Sequence, residues 1–300
     1  MIATPRPSHD TDRDSSRRAF LQRTTAAAGS LLFASALAPQ LDAADGAAAP
    51  NDTIKTIRGL RTIHGNFSDQ EIPEDRLQTI LQASLRAANA SNMQNYSIVV
   101  LRDRQVMKEV CGYRGSRTLV FLADNNRMMA SARSLGHGYA PDDVTNLVTS
   151  IVDTTLAAQT AAIAARSLGI DTLLTNGVHR GDMERLWKLL DLPPTHCFPV
   201  IALVLGYPTQ EPAHLKGRYD GPGIIHEGKY HRPSDEELAE ITRRYDDPAT
   251  HLALNDDWAK DGDKHFFDWL FTKWVGRFPR PAGQPTQMLQ LLKRSGYLEA

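Results

Sequence analysis

The stretch from Val144 to Leu168 constrains what this chain can fold into more than any other. It reads as one long helix whose Ala157-Ala158, Ala161-Ala162 and Ala164-Ala165 pairs carry almost no bulk. A second helix can therefore approach it closely. Gly169 follows at the position where a glycine commonly ends a helix. The fold has to be built against this helix.

The other apolar runs are mostly strands. Tyr96–Leu101 and Thr118–Ala123 barely alternate, so both are expected to be buried on two faces. Ile170–Leu174 is a short strand, and Phe198–Gly206 is a longer one closed by Tyr207-Pro208. Leu77, Ile80, Leu81, Ser84 and Leu85 share one helical face after Ile72-Pro73-Glu74. There Pro73 suits a first helical turn, and Glu74-Asp75 suit its dipole. Asp103–Val110 and Gly181–Leu190 are further short helices. Residues 124–143 are polar and glycine-rich, and are expected to form a mobile excursion over a site. From Ser234 onward come more helices and an aromatic cluster of Trp258, Phe266, Phe267, Trp269, Phe271, Trp274 and Phe278. That cluster could serve as a docking surface but is expected to be a packed arm.

Strands and helices mix without a regular βαβ repeat. The expected class is therefore α+β, a central mixed or antiparallel sheet flanked by helices. No Gly-x-Gly-x-x-Gly follows a strand, which argues against a dinucleotide-binding half, and no Walker loop is present. The formal net charge of -1 gives no basic field for nucleic acid. The two cysteines, Cys111 and Cys197, are read as structural thiols. The histidines His137, His179, His196, His214, His226 and His231 lack metal-ligand spacing, so no metal is expected.

The N-terminus reads as an address. Ser16-Arg17-Arg18-Ala19-Phe20-Leu21 precedes a weakly apolar run from Ala26 to Ala38 that is too short to span a bilayer. Residues 1–43 are expected to be a twin-arginine export signal and residues 44–53 a linker. The implied partner is the twin-arginine translocase, and the implied location is the periplasm. Such export carries folded proteins, often with a cofactor already bound.

Four polar clusters sit at element boundaries: Arg58 to His64, Asn89 to Asn95, Thr175-Asn176-Gly177, and Lys216-Gly217-Arg218. Two basic clusters and an amide-rich turn describe a ligand with an anionic end and a flat, hydrogen-bonding head.

In order and spacing these clusters resemble the FMN-dependent nitroreductase family. Arg61-Thr62-Ile63-His64 with Phe67 is similar to its opening phosphate-gripping segment, with Arg58 compensating for Leu60. Asn89 to Tyr96 resembles its Ser-x-x-Asn-x-Gln-Pro-Trp turn, and Pro199 to Pro208 its Pro-apolar-Gly-Tyr-Pro strand. The resemblance covers residues 54–232 and leaves 233–300 as a C-terminal helical, aromatic-rich extension.

It implies a three-layer fold, a domain-interlocked homodimer and FMN as cofactor. The implied cofactor contacts are Arg58, Arg61, Thr62, His64, Asn89, Asn92, Gln94, Asn176, Gly177, Lys216 and Arg218. Arg127, Met128, His137 and Tyr139 are the candidates for lining a substrate pocket. The implied chemistry is two-electron ping-pong reduction of a small aromatic, nitro or quinone-like acceptor, carried on the flavin with no protein acid or base. NAD(P)H is the family's donor. In the periplasm another reductant, such as a redox partner protein, would be needed. The alternatives are an exported flavin- or ligand-binding protein without catalysis, or a member specialised for reductive dehalogenation or flavin modification.

Overall fold

Four strands form one antiparallel sheet in the order β1-β2-β4-β3: β1 (Tyr96–Leu101), β2 (Arg117–Asp124), β3 (Asp171–Thr175) and β4 (Cys197–Gly206). The computed structural model describes residues 51–275 and 286–298, which belong to one compact unit. Residues 1–43 and Phe278 lie outside the described residues.

The central strands lack polar alternation because both faces of the sheet are covered. Leu119, Phe121, Leu203 and Leu205 face one layer, together with Leu77, Ile80 and the alanines of the long helix. Val120, Leu122, Ala202 and Val204 face the other, with Met107, Val110, Leu186 and Leu291. This gives the three layers.

The helices are α1 (Asp52–Arg58), α2 (Glu74–Ser84), α3 (Arg104–Cys111), α4 (Asn126–Ser134), α5 (Val144–Ser167), α6 (Glu184–Leu189), α7 (Asp235–Asp246), α8 (Phe266–Trp269) and α9 (Gln287–Arg294). The alanine stripe of α5 is used inside the chain. Ala157, Ala158, Ala161, Ala162 and Ala165 are buried against α2 and the sheet. The opposite side exposes Val144, Val148, Val152 and Leu156, at 53%, 52%, 50% and 41%, so one helix is apolar on two sides.

Several expectations change in detail. α1 starts inside the stretch read as linker, because Asn51 caps it by accepting the Ile54 N–H. Pro73 is the N-cap of α2, not a residue of its first turn. The 124–143 excursion contains α4, and Asp143 caps α5 by accepting the Asn146 N–H.

The region after residue 232 is not an appendage. α9 returns to the sheet, where Leu291 and Tyr297 are buried in the main core. The Tyr297 hydroxyl accepts a hydrogen bond from Asn125 at 3.0 Å, and His196 N–H donates to the Ser295 carbonyl at 2.8 Å. The described aromatic residues stack on one another and on Tyr245, forming a second small core around Phe266 and Trp269.

Cys111 and Cys197 are both buried and unbridged, and burial pushes the Cys197 thiol up to about 12. Neither thiol is available as thiolate at neutral pH. In a thiol-titration assay the native protein should show both as silent, with two equivalents appearing on denaturation.

Candidate functional site

β3 is an edge strand, and the chain after α1 is tacked along it. Thr62 bridges to Thr172, and Ile63 N–H donates to the Thr172 carbonyl at 3.0 Å. This pairing lays Leu60, Arg61 and Thr62 beside β3. The Lys216–Arg218 loop closes the other side.

The resulting cleft has a volume of about 720 Å³. Its walls bring Arg58, Arg61, Thr62, Lys216 and Arg218 together, over a floor that includes Ala162, Thr172 and Leu174. Gln159 of α5, which was not among the expected cofactor contacts, also lines it. A second cleft of about 510 Å³ shares the Arg61–Thr62 and Lys216–Arg218 wall and is lined by His64, His214 and Asp256.

The cations of this wall are not equivalent. Arg61 grips Asp171 with two hydrogen bonds, Nε to Oδ1 at 2.8 Å and Nη2 to Oδ2 at 2.6 Å, and reaches Glu211 with Nη1 at 2.6 Å. Asp171 is 3% exposed and also receives Arg166 Nη1 at 2.9 Å. Arg61 is therefore an internal tie as well as a wall residue. Its hydrogen bonds to Asp171 and then Glu211 hold its pKa above the ordinary guanidinium value.

Lys216 is oriented by the C-terminal region. Its Nζ donates to the Ala253 carbonyl at 3.0 Å and to Asp256 Oδ1 at 2.6 Å, which holds the Asp256 carboxyl below its usual range. Two of the three ammonium protons are thus engaged, and one remains for a ligand. Arg218 donates through Nη1 to the Lys216 and Gly217 carbonyls, at 3.3 and 2.8 Å, and is otherwise exposed. A side chain at Gly217 would collide with the Thr250 carbonyl, so this loop lies flush against the C-terminal region.

His214, His251 and Asp256 place possible metal-ligating atoms within 4.8 Å of one another. The two imidazoles, however, stack at 3.7 Å with planes 13° apart. Nearly parallel ring planes do not converge on one ion, and Lys216 already holds Asp256. His214 and Asp256 line the second cleft, His251 stacks on His214, and the trio is not a prepared metal site.

The remaining sequence candidates lie elsewhere. Asn89 lines a separate cleft of about 310 Å³ with Ala90, Val148, Val152, Asp153 and Leu156, and shares no lining residue with the cationic cleft. Asn92 is exposed and Gln94 half-buried in the same turn. Asn176 is exposed. Gly177 is buried, and its N–H donates to Thr175 Oγ1 at 3.0 Å. A side chain there would strike the Cys111 carbonyl. Gly177 is thus a packing glycine in this chain.

Arg127, Met128, His137 and Tyr139 do not line the cationic cleft. Arg127 binds the carbonyls of Met93 and Gln94, and the Tyr139 hydroxyl donates to Asn125 Oδ1 at 3.3 Å. Asp171 and Asp256 carry the cationic cleft's internal ties, Asp153 ties the amide turn, and all three were missed. Only the fold brings them beside the motif residues.

The sequence profile of the Nitroreductase family matches residues 57–207. The oxygen-insensitive NADPH nitroreductase of Salmonella typhimurium is 30% identical over 210 residues, 67% of this chain and 82% of that protein. The FMN reductase (NADPH) of Bacillus subtilis is 28% identical over 199 residues, 62% and 77% of the two chains. Among solved structures, B. megaterium NfrA2 superposes with a TM-score of 0.69 at 24% identity, covering 84% of this chain and all (100%) of that one. The NADPH:FMN oxidoreductase from Vibrio harveyi, complexed with NAD+, superposes with a TM-score of 0.67 at 23% identity, covering 83% and 100%. The chain belongs to the nitroreductase family and is an oxidoreductase.

Two outcomes follow for the ties. Arg61→Ala leaves Asp171 with Arg166 alone and should lower stability by about 2 kcal/mol, short of the ~3–5 kcal/mol for a buried charge left wholly unpaired. Chemical denaturation measures this. The depressed Asp256 carboxyl contributes stability above the ordinary carboxylate pKa and loses it as pH falls through its lower folded value. The melting-temperature advantage of wild type over Asp256→Asn should therefore be present at neutral pH and vanish in strong acid.

Proposed function

We propose that this chain binds FMN with its phosphate end in the cationic cleft beside β3, and that it reduces small nitroaromatic or quinone-like acceptors by a two-electron ping-pong route. The observation that carries the reading is the convergence of Arg58, Arg61, Thr62, Lys216 and Arg218 on one 720 Å³ cleft. That volume is in the range of cofactor sites, about 300–1,000 Å³. The donor set also fits the group. Asp171, Glu211 and Asp256 compensate Arg61 and Lys216, and Arg58 and Arg218 add cationic charge for a phosphate. Relatives named as FMN reductase and NADPH nitroreductase support FMN as the cofactor and NAD(P)H as the donor.

When bound, FMN supplies the two-electron chemistry. The chain binds and orients it. Arg218 and the third Lys216 proton would hold the phosphate, Thr62 would offer a hydroxyl, and Ala162 and Leu174 would provide an apolar floor. The amides of Asn92 and Gln94 would serve the imide edge of the flavin head, with Asn89 holding their turn by accepting the Gln94 N–H.

The cationic cleft and the amide turn meet different stretches of α5, Gln159 and Ala162 for the one and Val148 to Leu156 for the other. The reading calls for a homodimer. Apposing the exposed Val144–Val148–Val152–Leu156 ridges of two copies would bury that apolar surface, and the reading requires that this bring one copy's turn toward the other's cleft.

The leader adds a cellular reading: FMN is loaded in the cytoplasm, and the folded holoprotein is exported by the twin-arginine translocase. In the periplasm the donor is then a redox partner protein in place of NAD(P)H.

The purified full chain should show oxidised-flavin absorbance that dithionite bleaches. Arg218→Glu should lose FMN affinity by at least about tenfold while melting like wild type. Arg61 is a poor probe, because its loss weakens the fold. A chain that takes up no FMN sinks the reading. Fast steady-state turnover with NADPH as sole donor sinks the partner-protein arm only.

A further inference from the structure

Residues 89–95 turn without a glycine, yet three of them hold positive φ: Ser91 at 52°, Asn92 at 56° and Gln94 at 50°. Residues with a Cβ are strained in this region, asparagine least. Such strain persists only where the surroundings over-determine the backbone. Here they do so from two helices. Asp153 of α5, 1% exposed, accepts the Ala90 N–H through Oδ1 at 2.9 Å. Arg127 of α4 donates through Nη2 to the carbonyls of Met93 and Gln94, at 2.9 and 2.5 Å. Inside the turn, Asn89 Oδ1 accepts the Gln94 N–H at 3.2 Å. An anion thus fixes the entering N–H and a cation fixes the leaving carbonyls, both through charge-assisted hydrogen bonds.

The turn uses only one oxygen of Asp153. Asp153 Oδ2 is buried and has no hydrogen-bond partner in the structure. A neutral acceptor would take the same N–H without leaving a charged oxygen unmet. Arg127, although exposed, is directed at backbone carbonyls and not at a carboxylate.

We propose that Arg127 and Asp153 are positioning residues that pre-form the left-handed turn, so that Asn92 and Gln94 are presented to the flavin head without a conformational step. This rests on the flavin-binding reading above. A turn that is only fractionally in its competent form weakens apparent affinity by that fraction.

The test uses the full chain and two readouts. Hydrogen–deuterium exchange of amides 89–96 in flavin-free protein reports the turn itself, and FMN titration by fluorescence quenching reports its use. Arg127→Gln and Asp153→Ala should each speed exchange at 89–96 by about tenfold or more while β2 and α5 keep wild-type protection, and each should raise the FMN Kd by about tenfold. Asp153→Asn retains the acceptor for the Ala90 N–H and should keep near-wild-type exchange, and Arg127→Gln, at an exposed residue, separates the clamp from a packing defect. Arg127 is exposed, so its variant keeps the test open if Asp153→Ala does not fold. Unchanged exchange at 89–96 in both variants overturns the clamp. Faster exchange with an unchanged Kd overturns the presentation of the turn to flavin. A wild-type chain that binds no FMN brings down the flavin reading itself, and the exchange data still decide the clamp.

Discussion

The buried carboxylate of Asp171 is the junction on which the site depends. It sits at the start of the edge strand β3 and receives Arg61 from the segment after α1 and Arg166 from the last turn of α5. Three elements that are distant in sequence are thereby fixed at one point. A buried charge of this kind does little for net stability when paired, but it is severely destabilising when a partner is missing. It therefore acts as a specificity constraint. The segment from Arg58 to His64 has one registered position along β3, and the cationic cleft follows from that register.

The C-terminal region completes what this junction begins. Its Asp256 and the Ala253 carbonyl aim Lys216 across the cleft, and Thr250 packs against Gly217. Its last described helix and the residues just after it then re-enter the main core through Leu291 and Tyr297. The region that looks most like an addition in the sequence is thus tied to the site at one end and to the sheet at the other. Its aromatic residues form a core of their own between these two ties.

Much of the fold was legible because it follows from short-range pattern. β1, β2 and β4 were readable from runs without polar alternation, which only two covered faces allow. α2 was readable from the spacing of Leu77 and Ile80, and α5 from its length and its glycine stop. α4 was missed because Asn126–Ser134 is polar, with no buried residue to set a period. Arg58, Thr62, Lys216 and Arg218 were singled out because their clusters keep family order, and the fold places them on one cleft. Asp171, Asp153 and Asp256 were invisible because a single aspartate in a strand, a helix or a loop carries no local signature. Each acquires its role only from the cation or N–H that folding brings to it.

The sequence by itself determined the layers, the strand set, the family and the residue types able to meet an anionic, flat cofactor. Those properties rest on periodicity, composition and motif order, which are local along the chain. The tertiary structure alone decided that Arg61 is held by Asp171 while Arg218 remains exposed, that Gly177 serves packing, and that Arg127 grips the 89–95 turn. It also decided that α5 buries its alanines within the chain and leaves its valines outside. A charged group's partner, a turn's strain and a helix's second face are set by contacts between residues far apart in sequence, and only the folded backbone brings those together.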